Sequence, residues 1–159
     1  MVKGTLSLRE EIRQKKPFDS PAQEAILALS RTVDVLQRRF GALVEPRGIS
    51  LQQYNVLRIL RGAGEDGTPT LEIADRMIQR TPGITRLLDK LEAKQLVRRK
   101  RCPEDRRQVL CWITNEGMRL LADLDTPLLD SGTQAMHSIS ASEMKALVSL
   151  LNRIRAGLS

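Results

Sequence analysis

The sequence predicts a mainly α-helical fold with one small β-hairpin, and three observations support this prediction. Apolar residues recur at three- and four-residue spacing through most of the chain, as in amphipathic helices. Residues 96–113 instead resemble two short strands joined by a Pro-Glu-Asp-Arg turn. The length of 159 residues, with 41% hydrophobic and 28% charged residues, is typical of one globular domain with its own core.

The first helix is predicted to be long and to follow a short basic arm. Residues 1–16 have few apolar residues, and we expect such an arm to be frayed or docked on a partner subunit. Asp19 or Ser20 before Pro21 marks the helix start, and a turn region at 41–48 marks its end. The apolar residues of this helix recur at near-heptad spacing: Ala22, Ala25, Ile26, Leu29, Val33, Leu36 and Phe40.

A capping box predicts the second helix. Ser50 is followed three residues later by Gln53, so each side chain can bind the backbone N–H of the other. The helix should end near Arg61, because a glycine-rich stretch follows. Its apolar face consists of Leu51, Tyr54, Leu57 and Leu60.

The next two elements have the order of a helix-turn-helix. Thr70 is expected to cap a short helix that runs to Ile78. Thr81 is then expected to cap a longer helix with Pro82 at its first position, where a missing N–H costs nothing. A short helix, a tight turn and a longer helix form this motif.

The longer helix is predicted to have one packing face and one free face. Its apolar stripe consists of Ile84, Leu87, Leu88 and Leu91. The opposite side carries Pro82, Thr85, Arg86, Asp89 and Ala93. The second face is therefore free to contact a ligand.

Two predicted strands follow this helix, at 96–102 and 108–113, and the first is rich in arginine and lysine. A helix followed by a basic hairpin is what a winged helix-turn-helix needs. Such a helix fits the major groove of DNA, and hairpin arginines can reach phosphates or the minor groove.

The distribution of charge supports a nucleic-acid partner. The whole chain carries a net charge of +7, and residues 76–107 hold eleven Lys/Arg against four Asp/Glu, so the remaining residues balance at fifteen of each. Clustered excess positive charge favours binding to nucleic acid. The alternative is a solvated basic surface without a partner.

Two more helices are predicted after the hairpin. Thr114 can cap the first, and Pro127 inside it should kink the helix or split it near Thr126. Ser140 and Glu143 form a second capping box that opens the last helix. The apolar residues of these two helices are Met118, Leu121, Leu124, Leu128, Met144, Leu147, Val148, Leu151 and Ile154.

Several of these stretches together resemble the MarR family of bacterial transcription regulators. Residues 85–92 and Leu96-Val97 resemble the family's recognition helix and the start of its wing. The most specific similarities are the Asp-x-Arg of the wing, at Asp105 and Arg107, and a hydrophobic-Thr-x-x-Gly strand end at 113–117. The chain departs from the family pattern at two positions. Gln95 replaces a glycine and would cost about 1 kcal/mol in the left-handed region, and Cys111 replaces a buried valine.

The resemblance implies that the polar face of the recognition helix and the wing bind DNA. Arg86 can bind a guanine edge through two hydrogen bonds. By resemblance, Arg107 enters the minor groove while Asp105 holds the loop, and Arg106 meets phosphate. Thr70 either contacts a phosphate or is an ordinary helix cap. The candidate DNA-binding residues are Thr70, Thr81, Pro82, Thr85, Arg86, Lys90, Asp105, Arg106 and Arg107.

The terminal helices predict a homodimer. Their apolar stripes exceed what one winged-helix module can cover, and a two-fold dimer would bury them. The alternative is a bundle within one chain. We divide the single MarR-like chain 1–159 into a DNA-binding lobe at 50–114 and a dimerisation region at 19–45 and 115–159. The candidate interface residues are Leu29, Val33, Leu36, Leu147, Val148, Leu151 and Ile154.

No pattern in the sequence indicates an enzyme, a metal site or a cofactor. The lone His137 has no carboxylate or nucleophile at a suggestive spacing. Asp123, Asp125 and Asp130 have the spacing of the solvated side of a helix. Cys102 and Cys111 lie on opposite hairpin strands, close to cross-strand positions, so a reversible disulfide is conceivable. Two reduced thiols in a reducing cytoplasm are the favoured alternative.

The sequence thus predicts a cytoplasmic homodimeric regulator, most simply a repressor that occupies a pseudo-palindromic site in double-stranded DNA. The resemblance implies release by a small aromatic or phenolic effector. The chain has no run of 18 apolar residues and no apolar signal-peptide region, which predicts no membrane association. The alternatives are a non-specific architectural DNA-binding protein and a winged helix that binds proteins.

Overall fold

The computed structural model describes residues 6–105 and 107–158, which are mainly helical, as predicted. The helices are α1 Leu8–Glu11, α2 Pro21–Val44, α3 Leu51–Ala63, α4 Thr70–Arg76, α5 Ile84–Ala93, α6 Asn115–Ala135 and α7 Ala141–Ala156. The strands are β1 Thr68–Pro69, β2 Val97–Arg101 and β3 Val109–Ile113. In this part of the chain, no helix is both long and apolar enough to cross a membrane.

The three strands form one antiparallel sheet in the order β1-β3-β2. In β2 and β3, Arg99 pairs with Cys111 and Arg101 with Val109, which is the predicted hairpin. On the other edge of β3, Thr68 also pairs with Cys111. The sequence did not predict β1, because two residues cannot show the alternation that identifies a strand.

The chain divides between Arg39 and Phe40 into two compact units. The first contains α1 and most of α2. The Ser20 hydroxyl accepts a hydrogen bond from the Gln23 N–H at 3.1 Å, which confirms the predicted start of α2. The sequence did not predict α1, which has its own capping box, and Glu11 at its end forms an ion pair with Arg31 at 2.8 Å.

The second unit contains the hydrophobic core. Residues of α3, α4, α5, α6 and the sheet pack together, and the predicted apolar faces supply most of them. The buried core residues are Val44, Ile49, Val56, Leu57, Ile59, Leu60, Ile73, Met77, Leu88, Leu91, Val97, Cys111, Leu121 and Leu124.

Local capping signals predicted most helix starts correctly. The boxes of Ser50 with Gln53 and of Ser140 with Glu143 are both formed. The Thr114 hydroxyl accepts from the Gly117 N–H at 3.1 Å and so caps α6. Of the two predicted effects of Pro127, a kink or a split near Thr126, the split does not occur, since α6 is one helix with Pro127 inside it. The buried residues Leu121 and Leu124 anchor this helix in the core, and such packing offsets the roughly 3 kcal/mol that an interior proline costs.

Two predicted caps are wrong. The longer helix begins at Ile84 rather than at Pro82, because Gly83 has φ +106° and a left-handed residue cannot lie inside a right-handed helix. The Thr81 hydroxyl instead donates to the Gln79 carbonyl at 3.2 Å. Thr70 is the first residue of α4 rather than its cap, because β1 brings its hydroxyl to the Val109 carbonyl of β3, where it donates a hydrogen bond at 3.2 Å.

Gln95 takes the left-handed conformation that the family pattern assigns to glycine. Its φ is +60°. The Leu96 N–H donates to the Leu91 carbonyl at 3.0 Å and the Gln95 N–H donates to the Glu92 carbonyl at 2.8 Å, which is the Schellman ending of a helix. This ending turns the chain from α5 directly into β2.

The two cysteines are not cross-strand partners, which corrects the sequence prediction. The Cys102 N–H donates to the Gln108 carbonyl at 2.9 Å, while Cys111 lies opposite Arg99. The loop between the strands is therefore shorter than a pairing of the cysteines would need. Cys111 lies three positions along the strand from Gln108, the residue opposite Cys102. This separation corresponds to about 10 Å and places the two thiols on opposite faces of the sheet. Both thiols are free, and burial raises the pKa of Cys111.

Candidate nucleic-acid interface

The helix α5 has the two faces that the sequence predicts. Leu88 and Leu91 are fully buried, and Ile84 and Leu87 are half-buried against the core. The other face is solvent-exposed and carries both cations of the helix. Its exposed polar side chains are Thr85, Arg86, Asp89 and Lys90.

The turn between α4 and α5 is held from α3. The Asn55 side-chain oxygen accepts a hydrogen bond from the Ile78 N–H at 2.9 Å. Asn55 was not predicted as a site residue, because nothing in the local sequence pattern links it to a turn 23 residues later. Thr81 in this turn is half-buried and Pro82 is exposed, so both lie just before the N-terminus of α5.

Thr70 lies at the start of α4 with its hydroxyl directed into the protein. It donates its only proton to the Val109 carbonyl, and its oxygen lies 3.7 Å from the Cys111 sulfur. A hydroxyl contacts a phosphate by donating a proton. The predicted phosphate contact would therefore require this internal hydrogen bond to break.

The loop of the hairpin is organised by Asp105. One carboxylate oxygen accepts from the Arg107 N–H at 3.0 Å, and the other accepts from the Gln108 side-chain amide at 3.3 Å. The Gln108 N–H also donates to the Asp105 carbonyl at 2.9 Å. Arg107 is exposed at this loop, and Arg106 lies outside the described residues.

The start of α6 joins α5 to the hairpin. The Thr114 hydroxyl donates to the Gln95 carbonyl at 2.7 Å while it accepts from the Gly117 N–H. The Thr114 N–H donates to the Leu96 carbonyl at 3.1 Å. The Thr-x-x-Gly sequence thus has a physical role, since it holds the end of α5, the start of β2 and the start of α6 together.

The single tryptophan fixes a second side of the hairpin. The Trp112 indole N–H donates to the Glu65 carbonyl at 2.9 Å, and the Arg98 guanidinium lies 4.3 Å from the centre of the indole ring. Neither residue was predicted as part of the site, because their partners lie far away in the sequence or on a strand face that local pattern does not specify. Their contacts link the loop before β1 to the exposed face of the sheet.

Comparison with known proteins identifies the family. A family model described as "MarR family" matches residues 49–109. The solved structure of a MarR transcription factor from Planctomyces limnophilus is 40% identical in sequence, and the match covers 86% of this chain and 98% of that chain with a TM-score of 0.66. The chain belongs to the MarR family.

Two further relatives agree with this assignment. The HTH-type transcriptional regulator MhqR of Bacillus subtilis is 27% identical over 128 residues, which are 80% of this chain and 87% of MhqR. Sco3205, a MarR family regulator of Streptomyces coelicolor solved in complex with DNA, is 22% identical and has the same fold. That match has a TM-score of 0.77 and covers 91% of this chain and 93% of Sco3205.

Membership in the MarR family indicates the general function of the protein. The protein is a winged helix-turn-helix DNA-binding transcription regulator, with α5 as the recognition helix and the β2–β3 hairpin as the wing. MarR-family regulators are not enzymes. Three of the residues considered above for catalysis or metal binding contact other groups of the chain. A His137 ring nitrogen lies 2.8 Å from the Gln134 carbonyl, Asp123 pairs with Arg47 at 3.0 Å, and Asp125 pairs with Arg61 at 2.8 Å.

The predicted dimer residues lie on α2 and α7. On α2, Val33 is 49% exposed, while Leu29 and Leu36 are half-buried. On α7, Val148 is 57% exposed and Ile154 is 48% exposed, and no residue of this helix is buried. Both helices therefore keep apolar side chains in contact with solvent in a single chain.

Proposed function

We propose that this MarR-family protein is a homodimeric repressor that recognises a pseudo-palindromic operator. The observation that carries the proposal is the exposed polar face of α5, with Arg86 in its first turns, beside a wing whose loop is fixed by Asp105. A helix of this kind can read base edges in the major groove, and a fixed basic loop can follow the adjacent backbone or minor groove.

The exposed apolar side chains of α2 and α7 support the dimeric part of the proposal. Such surfaces are costly in water and are buried when two copies associate. Two-fold symmetry would set two recognition helices about 34–36 Å apart, which is one turn of DNA, and would explain an operator with two half-sites.

The regulatory part of the proposal rests on family resemblance. We propose that operator occupancy blocks transcription and that a small aromatic or phenolic molecule relieves it. In the family such molecules bind between the dimerisation helices and the DNA-binding lobes. Titration of a phenolic acid panel into the operator complex, followed by fluorescence anisotropy, tests this part separately from DNA recognition.

Arg86→Ala is expected to weaken sequence-specific binding by about 1–3 kcal/mol, because it removes two hydrogen bonds to a base edge. Binding to a scrambled duplex should change much less. The measurement is anisotropy titration of an operator selected from random DNA, and of its scrambled version, at several salt concentrations. Arg119→Ala is the matched control, since Arg119 is an exposed arginine that pairs with Glu116 on α6 at 2.7 Å.

Three outcomes of this titration would contradict the proposal. Equal losses for Arg86→Ala on both duplexes would remove its role in specificity. Similar wild-type affinity for every duplex would indicate an architectural protein. No binding to any duplex would favour a winged helix that binds proteins.

Asp105→Ala is expected to weaken DNA binding, although it removes a negative charge from the wing. The carboxylate holds the loop through the Arg107 N–H and the Gln108 amide, so its loss should resemble loss of Arg107. Glu104→Ala is the control, because it removes the same charge from the neighbouring exposed position. Anisotropy titrations of the operator and its scrambled version with both variants measure this effect. Tighter binding by both variants would show that the acidic residues act only through charge.

A further inference from the structure

Arg99 on β2 contacts the recognition helix rather than solvent. Its side chain is 21% exposed. The Nε–H and an Nη2–H donate to one Glu92 oxygen at 2.9 and 2.6 Å, and Nη2 also donates to the Asp89 carboxylate at 2.7 Å. One guanidinium therefore bridges two carboxylates that lie one turn apart on α5.

These two carboxylates are the only acidic side chains of α5. Asp89 lies on the exposed polar face, next to Lys90 and one turn after Arg86. An acidic side chain on a face that meets DNA repels phosphate, and the Debye length of about 8 Å at physiological salt leaves this repulsion largely unscreened at contact. The Arg99 guanidinium contacts both carboxylates, and its one positive charge reduces their combined charge where it would oppose binding.

The same contacts fix the angle between helix and wing. Arg99 pairs with Cys111 of β3, and Cys111 is fully buried at the centre of the sheet. The base of the Arg99 side chain is thus anchored in the rigid part of the hairpin, while its planar end holds α5 at two points. Charge-assisted hydrogen bonds of this fork geometry restrict orientation more than a lysine could.

We propose that Arg99 is a positioning residue for operator recognition. It acts through Asp89 and Glu92: it holds the recognition helix against the wing and offsets part of the negative charge of the DNA-facing helix. Other lysines and arginines of residues 76–107 supply the direct contacts to DNA. This inference rests on the proposed function of sequence-specific DNA binding.

The decisive experiment is a mutant cycle measured by anisotropy on the selected operator and its scrambled duplex. Arg99→Gln is made in the wild type and in a background that carries Asp89→Asn and Glu92→Gln. We expect Arg99→Gln to weaken operator binding about tenfold in the wild type and only about twofold in that background, since its partners are already neutral there. Lys100→Gln, an equal charge change at the next and exposed position of β2, should give the same loss in both backgrounds.

A direct phosphate contact by Arg99 gives a different result. The loss would then be equal in both backgrounds and on both duplexes, and the salt slope would fall by about 0.9, which would overturn the inference. Arg99→Lys keeps the charge and loses the fork, and we expect it to reduce the preference for operator over scrambled DNA, whereas Lys100→Arg should not.

Each comparison is made at temperatures where circular dichroism shows all variants folded, so a loss of operator preference is not a loss of fold. If Arg99→Gln does not fold, Arg99→Lys decides alone, and an unchanged operator preference would overturn the inference. A wild type that prefers no operator would contradict the proposed function instead.

Discussion

Leu151→Asp is expected to dissociate the dimer, or to unfold the protein, and to abolish operator binding. All other residues of α7 are exposed and Leu151 is half-buried, and its spacing places it between Leu147, Val148 and Ile154 on the apolar side of this helix. If a second copy covers this side, the mutation buries an unpaired carboxylate, which costs several kcal/mol. A single DNA-binding lobe then contacts only one half-site, and the affinity gained from two linked contacts is lost.

Sedimentation equilibrium and operator titration measure this effect, and the next residue supplies the control. Asn152→Asp introduces the same charge at an exposed position, where the Arg155 side chain already donates a hydrogen bond to residue 152. We expect it to leave the oligomeric state and the operator affinity unchanged. A Leu151→Asp protein that sediments as a stable dimer with normal affinity would show that the interface lies elsewhere.

Gly117→Ala is expected to destabilise the protein by about 1–3 kcal/mol or more, even though alanine favours helices over glycine. A Cβ atom at this position would lie 2.5 Å from the Leu96 carbonyl oxygen and 2.6 Å from Ile113 Cγ1. The carbonyl cannot move away freely, because it accepts the hydrogen bond from the Thr114 N–H. The junction between α5, the wing and α6 must therefore open, and DNA affinity should fall together with stability.

Gly62→Ala makes the same glycine-to-alanine change, but we expect it to raise rather than lower the stability of the protein. Gly62 is an exposed residue inside α3, and apart from the adjoining residues and the local helix backbone no atom lies within 4 Å of an added Cβ. We expect it to stabilise the protein by about 0.5–1 kcal/mol through helix propensity alone. Chemical denaturation of both variants tests the pair. A Gly117→Ala protein as stable as Gly62→Ala would show that the junction adapts without strain.

Features that depend on neighbouring residues were predictable from the sequence. The capping boxes of Ser50 and Ser140 need only a residue three positions away, and both are formed. The apolar stripe of α5 follows from helical periodicity, and Leu88 and Leu91 are buried as expected. The left-handed conformation of Gln95 was expected only from the family resemblance, because the family pattern has a glycine at this helix end. Such local regularities identified the winged helix-turn-helix and its basic segment.

Features that depend on pairing between distant segments were decided only by the tertiary structure. The hydroxyl of Thr70 could be assigned to a cap until β1 placed it beside Val109. The cysteines could be read as partners until the strand register placed Arg99 opposite Cys111. A shift of a few residues in register changes which side chains meet and which face they lie on, and no local pattern specifies it.

The sequence by itself therefore determined the six longer helices to within a few residues, the wing and the location of the positive charge, because propensity, periodicity and composition act over a few residues. Only the tertiary structure decided how individual charges are used. Arg99 belongs to the same basic run as Arg98 and Lys100, and the alternation of a strand turns it alone toward Asp89 and Glu92. The physical reason is that ion pairs and hydrogen bonds need atoms within about 3–4 Å, and chain folding brings residues that are distant in sequence to that distance.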